Sequence, residues 1–124
     1  MKLLHVGYSK VNINPMLGIG LYGYFVPRYA KGFLDDLEAH GIVINLDNTR
    51  IAMISVDLCE LFEVQINTYR TAIEEATGIP AQNLFISCTH THTGPLVEES
   101  DAFEADPEPI QRYAEFVGER LVDL

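Results

Sequence analysis

Two apolar runs separated by a short polar turn place the strongest constraint on how this chain folds. The runs HGIVINL (40–46) and IAMISVD (51–57) are rich in β-branched residues. Between them, Asp47 and Asn48 tolerate left-handed backbone angles, so the pattern predicts two strands joined by a tight turn. Because both runs are almost continuously apolar, we expect a sheet that is covered on both faces.

The next segment changes its hydrophobic period and predicts a helix. Apolar side chains recur at steps of three or four residues, at Phe62, Ile66, Tyr69 and Ile73. Gly78, followed by Pro80, is typical of a helix end. Residues 84–89 then form another apolar run, so residues 51–89 predict a strand–helix–strand unit with parallel strands and a right-handed crossover.

The rest of the chain completes one α/β domain. Residues 5–13 predict a strand that stops before Pro15, and residues 109–124 have the apolar spacing of an amphipathic helix. We expect residues 1–124 to form a single α/β domain, a mixed sheet with helices packed on it. Since the final helix has no clear capping residue, we also expect this domain to be the front part of a longer chain.

Charge and composition exclude several classes of partner. Eighteen acidic residues against eight basic ones give a net charge of -10, which repels phosphate, so we expect no nucleic-acid binding. No apolar stretch reaches membrane-spanning length, and we predict neither a signal peptide nor a transmembrane segment. Cys59 and Cys88 lie in apolar segments and form no CxxC pair. We interpret them as reduced core thiols, which favours a cytoplasmic location.

The segment FISCTHTHTGP (85–95) places His90 and His92 two residues apart at the end of a predicted strand. Ligands of open α/β sheets bind at the carboxyl ends of parallel strands, where Asp57 is also expected. If extended backbone continues through the motif, Cys88 and both imidazoles point to one side, about 6 to 7 Å apart. Two imidazoles at that spacing can share a Zn²⁺ ion, which in catalytic sites keeps one position for water.

The His-x-His motif alone leaves other interpretations open, because a hydrolytic site also needs a third ligand and a group that transfers protons. The histidines could lie in a solvated surface turn, or one could be buried in the core. A different metal-dependent hydrolase could combine them with Asp57 or Glu60, and a non-catalytic binding module could keep the same scaffold. Cys88 is a further candidate ligand, although a buried apolar role is simpler. We interpret His5 as structural.

Several segments resemble one enzyme family. THTHTGP (89–95) resembles the THTHSGP signature of the neutral/alkaline non-lysosomal ceramidases, with Thr93 at the usual serine. VGYSKVNINP (6–15) resembles their opening strand, and LYGY (21–24) the glycine–tyrosine segment that follows it. Residues 33–58 are similar to the stretch in which a D-x-L-x-A-R-A run leads into two strands and an aspartate. The order of these segments agrees along nearly the whole chain.

The resemblance implies a zinc-dependent amide hydrolase that converts an N-acyl sphingoid base into a fatty acid and an amine. It makes His90 a zinc ligand and places His92 beside the metal, close to the reacting carbonyl. We therefore assign metal binding to His90 and His92, and catalysis to His92 and Asp57. The expected substrate is a small-molecule or lipid amide.

The chain also departs from the family pattern. Asn12 and Asn14 replace an aspartate and a threonine, and His40 replaces an arginine, which removes a permanent positive charge. The family's remaining zinc ligands and its catalytic serine segment have no counterpart in the matched segments. We expect this chain to bind zinc loosely, to show little or no amidase activity, and to need the missing C-terminal part of the domain or a homo-oligomer.

Overall fold

A computed structural model describes residues 3–98 and 106–124. Four strands and two helices follow one another along the chain, with a short 3₁₀ turn at Ala81–Asn83 before the last strand. In chain order they are β1 (Leu4–Asn12), β2 (Glu38–Leu46), β3 (Thr49–Val56), α1 (Glu63–Thr77), β4 (Leu84–Cys88) and α2 (Pro107–Asp123).

The strands form one mixed sheet in the order β1-β2-β3-β4. The first three are antiparallel, and β4 lies parallel to β3. Helix α1 connects the two parallel strands, so the predicted strand–helix–strand unit and the mixed α/β fold are confirmed. In the β2–β3 turn, Asp47 has a φ of 54°, the left-handed conformation that its sequence position predicts.

The helix ends follow from local sequence. Gly78 ends α1 with a φ of 69°, and its N–H donates a hydrogen bond to the Glu74 carbonyl. Glycine adopts this left-handed angle without steric cost, which is why the predicted helix end is correct. At the start of α2, the Asp106 side chain accepts a hydrogen bond from the Glu108 N–H, an ordinary N-cap. Neither helix of the described chain has the length and apolar content that crossing a bilayer requires.

Both helices pack against one face of the sheet, which we call the inner face. Tyr69 of α1 donates a hydrogen bond to the Ala114 carbonyl of α2, and Tyr113 of α2 donates one to the Ile13 carbonyl, each 2.7 Å long. Burial raises the pKa of Tyr69 and Tyr113 well above that of a free tyrosine. The sheet contributes buried side chains to the same core, at Ala39, Ala52, Ile54, Val56 and Leu84.

The opposite face, the outer face, is not covered by any described residue, so the prediction of a sheet covered on both sides is wrong. Its large apolar side chains are between 37 and 64% exposed: Leu4, Val6, Tyr8, Ile42, Leu46, Ile51, Met53 and Phe85. The strands are apolar on both sides, as the sequence indicates, but α1 and α2 share one core cluster on the inner face.

Candidate metal centre

The candidate site lies at the carboxyl end of the parallel strand pair. Val56 and Cys88 are register partners, so the chain leaves β3 and β4 at the same edge of the sheet. Beyond the strands, the Thr89 N–H donates to the Val56 carbonyl and the His90 N–H donates to the Leu58 carbonyl, each over 3.0 Å. The segment after β4 therefore runs directly beside the segment after β3.

The backbone at His90 differs from the prediction. Strand β4 ends at Cys88, and His90 has a φ of 63°, so extended backbone does not continue through the motif. A left-handed non-glycine residue costs about 1–3 kcal/mol and persists where surrounding contacts fix it. Here the bond from the His90 N–H to Leu58 provides such a contact.

The two imidazoles nevertheless lie side by side. Their ring centroids are 5.0 Å apart, and the ring planes are inclined by 70°. The Nδ1 atom of His90 lies 2.9 Å from the Cys59 carbonyl oxygen. Because a carbonyl only accepts hydrogen bonds, this contact favours the neutral tautomer with the proton on Nδ1, which leaves the Nε2 lone pair for another partner.

Cys59 is the site residue that our sequence interpretation missed. One ligand atom from each of Cys59, His90 and His92 lies within 4.8 Å of the others. The thiol is 4% exposed, so the prediction of a buried cysteine is correct, yet its sulfur is 3.6 Å from His90 Nδ1. Cys59 comes just after β3, and β3 is predicted to lie parallel to the strand that leads into the histidine motif. This position in the sequence could have indicated that Cys59 lies near the histidines. Cys88, the cysteine considered as a ligand, is not part of this group.

These residue types fit a zinc ion. Imidazole nitrogen and cysteine sulfur are its usual protein ligands, and a ligating histidine commonly donates its other ring N–H to a backbone carbonyl, as His90 does to Cys59. The thiol is the weakest member, because burial and the negative charge of Glu60 raise the pKa of Cys59. Among the described residues this cluster offers three donors, whereas a closed structural zinc site has four.

The glycine-rich segment that follows β1 packs against the histidine motif. The Tyr22 N–H donates to the Gly94 carbonyl, and the Leu96 N–H donates to the Gly20 carbonyl, each over 3.0 Å. The LYGY and THTHTGP segments, which carried the family resemblance separately, are thus direct neighbours.

This segment also fixes the His92 ring. Gly23 has a φ of 100°, and a Cβ atom there would lie 2.6 Å from His92 Cγ, so only glycine allows the approach. The Tyr24 ring meets His92 edge-on, with centroids 5.6 Å apart. Arg28 stacks 4.2 Å from the centre of the Tyr24 ring and donates to the His92 carbonyl.

Both carboxylate oxygens of Asp57 have partners. One accepts from the Glu38 N–H over 3.0 Å, and the other accepts from the Thr89 hydroxyl over 3.1 Å. Asp57 therefore links β2 to the segments that follow β3 and β4, and it helps to fix the path of the backbone that leads to His90. Its catalytic role stays a prediction.

Glu60, the other carboxylate considered, accepts a hydrogen bond from the Tyr22 hydroxyl. That bond, with burial second, raises the pKa of Tyr22 to about 12. The remaining histidine of interest, His40, lies on the outer face, where hydrogen bonds join its ring to the Tyr8 hydroxyl and to Glu38.

An open cleft of about 760 Å³ adjoins the motif. Asp57, Thr91 and Thr93 form its wall on the motif side. The lining also includes the cations Arg28 and Lys31, the carboxylates Asp35 and Asp36, and apolar side chains such as Phe33, Leu34 and Leu37, but neither His90 nor His92. The volume lies in the range of small-molecule sites, and the lining combines apolar surface with a few charges.

Comparison with known proteins identifies the fold. No protein-family model and no curated protein matches the chain. Neutral ceramidase from Pseudomonas aeruginosa is similar in structure with a TM-score of 0.78 and 17% sequence identity, over 95% of this chain and 21% of that one. A ceramidase complexed with C2 gives a TM-score of 0.75 and 18% identity, over 94% of this chain and 20% of the other. The chain thus spans about one fifth of the length of these relatives, and it has the fold of part of a neutral ceramidase.

Proposed function

We propose that this chain is a ceramidase-like zinc-dependent amide hydrolase unit that contributes one part of the catalytic site. The observation that carries the proposal is the pair of imidazoles in the segment that follows β4, at the carboxyl end of the parallel pair β3–β4. The His90 tautomer, favoured by the Cys59 carbonyl 2.9 Å away, leaves Nε2 as the coordinating atom. The likeness to neutral ceramidases supports the reaction class.

In this proposal His90 holds the zinc ion, His92 lies beside it, and the Cys59 carbonyl orients His90. The ion, when bound, supplies a Lewis acid and lowers the pKa of water. Hydrolysis adds the hydroxyl of water to the acyl carbon and a proton to the leaving nitrogen, and we assign the proton transfer to His92. Gly23, Tyr24 and Arg28 position this ring through the contacts described above.

The adjoining cleft is the proposed substrate site. Its apolar side chains, including Phe33 and Leu34, suit the acyl chain of a lipid amide, and the charged side chains of both signs that line it suit the polar end of such a molecule. The products would be a fatty acid and an amine. The cytoplasmic location and the absence of nucleic-acid partners stay predictions.

Zinc binding tests the metal assignment. We expect the purified chain to bind zinc weakly, and the His90→Ala variant to bind it at least tenfold more weakly, about 1.4 kcal/mol or more. His40→Ala is the matched control, because His40 lies on the outer face. Titration calorimetry with zinc alone measures both. Equal zinc affinity of the wild type and His90→Ala would refute the assignment.

Amidase activity tests the reaction class. Because the chain spans about one fifth of the length of the ceramidases it resembles, we expect little or no release of amine from a fluorescent ceramide by this chain alone. Turnover at ordinary enzyme rates would contradict a partial site. Hydrolysis of other amides but not of N-acyl lipids would favour a different metal-dependent hydrolase. A protein that binds no zinc would favour a non-catalytic binding module.

A further inference from the structure

The Cys59 side chain lies against the Nδ1 edge of the His90 ring. Its Sγ is 3.6 Å from Nδ1, and the Cys59 carbonyl oxygen is 2.9 Å from the same nitrogen. The His90 N–H donates to the Leu58 carbonyl, one residue earlier in the chain. Residues 58 and 59 therefore hold both the backbone and the ring of His90, so the fold sets the position of the sulfur relative to Nδ1.

The distance between sulfur and nitrogen is the one that a shared zinc ion requires. Zinc binds cysteine sulfur at about 2.3 Å and imidazole nitrogen at about 2.05 Å, so across a tetrahedral angle these two ligand atoms are about 3.6 Å apart. The separation of 3.6 Å between Cys59 Sγ and His90 Nδ1 has the same value. A weak S–H···N hydrogen bond falls at a similar distance, so a test has to distinguish the two.

The other ring nitrogen of His90 does not fit the same ion. An ion on Nε2 lies about 4 Å from Nδ1, and a thiolate bound to that ion would be about 5 Å or more from Nδ1. Cys59 Sγ is about 1.4 Å closer than this. An ion on Nε2 and an ion beside Cys59 would therefore occupy two different positions.

His92 supplies a third donor for the position beside Cys59. One ligand atom from each of Cys59, His90 and His92 lies within 4.8 Å of the others. Two nitrogen ligands of a tetrahedral zinc are about 3.4 Å apart, so each pair of donors has to close by about 1.4 Å at most. Thiolate and imidazole favour zinc and softer cations over Mg²⁺ and Ca²⁺, which prefer oxygen.

We propose that Cys59 Sγ, His90 Nδ1 and His92 form a second metal position, for a thiophilic cation such as Zn²⁺ or Cd²⁺. Binding forms a metal–sulfur bond and releases the thiol proton to solvent, because a coordinating ion deprotonates a thiol. The proton on His90 Nδ1 moves to Nε2, since a neutral imidazole has a lone pair on one nitrogen only.

The two metal positions therefore exclude each other on a neutral His90 ring. A cation beside Cys59 displaces the hydrogen bond to the Cys59 carbonyl and takes away the Nε2 lone pair. The proposal shares His90 with the proposed zinc site, but it does not depend on amide hydrolysis.

Titration with Co²⁺ alone tests the sulfur ligand. Cobalt replaces zinc in such sites, and a cysteine sulfur bound to it gives a charge-transfer band in the near ultraviolet. We expect this band in the wild-type chain under a thiol-free reductant. Cys59→Ser should remove the band and weaken Co²⁺ binding at least tenfold. Cys88→Ser is the matched control at the other free cysteine and should keep both, while circular dichroism checks that the variants fold.

The failure of this proposal can be distinguished from the failure of the zinc assignment. Co²⁺ binding that is lost in His90→Ala but never gives the band would overturn the thiolate position and leave His90 as a ligand. A band that persists in Cys59→Ser, or a wild-type chain that binds no Co²⁺, would also overturn the proposal.

Nitrogen NMR of the wild-type chain identifies the coordinating atom without a variant. In the metal-free chain we expect the His90 proton on Nδ1. With Cd²⁺, Nδ1 should carry the metal and Nε2 the proton. Cadmium on Nε2 with Nδ1 still protonated would overturn the proposal and support metal binding at Nε2. An unchanged His90 ring would also overturn it, and would show that the contact with Cys59 Sγ is a hydrogen bond only.

Discussion

Strand β3 presents two faces of similar chemistry in opposite environments. Ile54 and Val56 point into the core and are 4 and 0% exposed, whereas Ile51 and Met53, on the opposite face of the same strand, are 37 and 48% exposed. The difference comes from the position of the helices, since α1 and α2 both pack on the inner face. An apolar side chain thus indicates that a position needs cover, but it does not identify what supplies the cover.

The largest expected effect on stability comes from shortening one side chain on each face of β3 to alanine. Ile54→Ala should lower the free energy of unfolding by about 2–5 kcal/mol, because it leaves a cavity in the packed core. Met53→Ala should cost less than about 1 kcal/mol in the monomer, since its side chain is half exposed. Urea denaturation at low protein concentration measures both. Equal losses would mean that the outer face is packed within the single chain.

A pair of glycine substitutions compares a packed position with an open one on the helix side of the sheet. A Cβ at Gly118 of α2 would lie 2.8 Å from Tyr69 Cε1, whereas one at Gly7 of β1 meets no atom within 4 Å. Gly118→Ala should therefore cost about 1–3 kcal/mol through overpacking, despite the better helix propensity of alanine. Gly7→Ala should change stability by about 0.5 kcal/mol or less. Thermal unfolding of both variants checks this, and a neutral Gly118→Ala would show that the helices separate easily.

The smallest expected effect concerns the inner face at alkaline pH. Burial raises the pKa of Tyr113 above the value of 10.0 for a free tyrosine. The stability that the buried, neutral Tyr113 side chain contributes is therefore complete below about pH 10 and is lost as the pH rises above that value. Tyr113→Phe should cost about 1 kcal/mol near pH 7 by removing the bond to Ile13, yet show a shallower alkaline decline. Urea denaturation from pH 7 to 11 compares the slopes. Parallel curves would contradict this explanation.

Much of the fold could be predicted because local chemistry determines it. Asp47 in the β2–β3 turn and Gly78 at the end of α1 both adopt the left-handed angles that their positions require. The parallel pairing of β3 and β4 follows from the helix between them. The cover of the outer face could not be predicted, because it depends on tertiary packing or on a partner.

The site was predicted in part, and partly for the wrong reason. The sequence predicts that His90 and His92 lie together because an extended backbone points both rings to one side. In the structure His90 instead adopts a φ of 63°. Cys59 was missed because its approach to His90 depends on the path of the chain beyond β3. That path is set by hydrogen bonds between distant segments, which leave no periodic pattern in the sequence.

The bond from His90 Nδ1 to the Cys59 carbonyl has a thermodynamic consequence. The ring is held in one orientation and one tautomer by the folded backbone, so the loss of its rotational freedom is part of folding. A metal ion that binds there would not have to order this imidazole. Only a small loss of side-chain entropy would therefore oppose the favourable enthalpy of coordination.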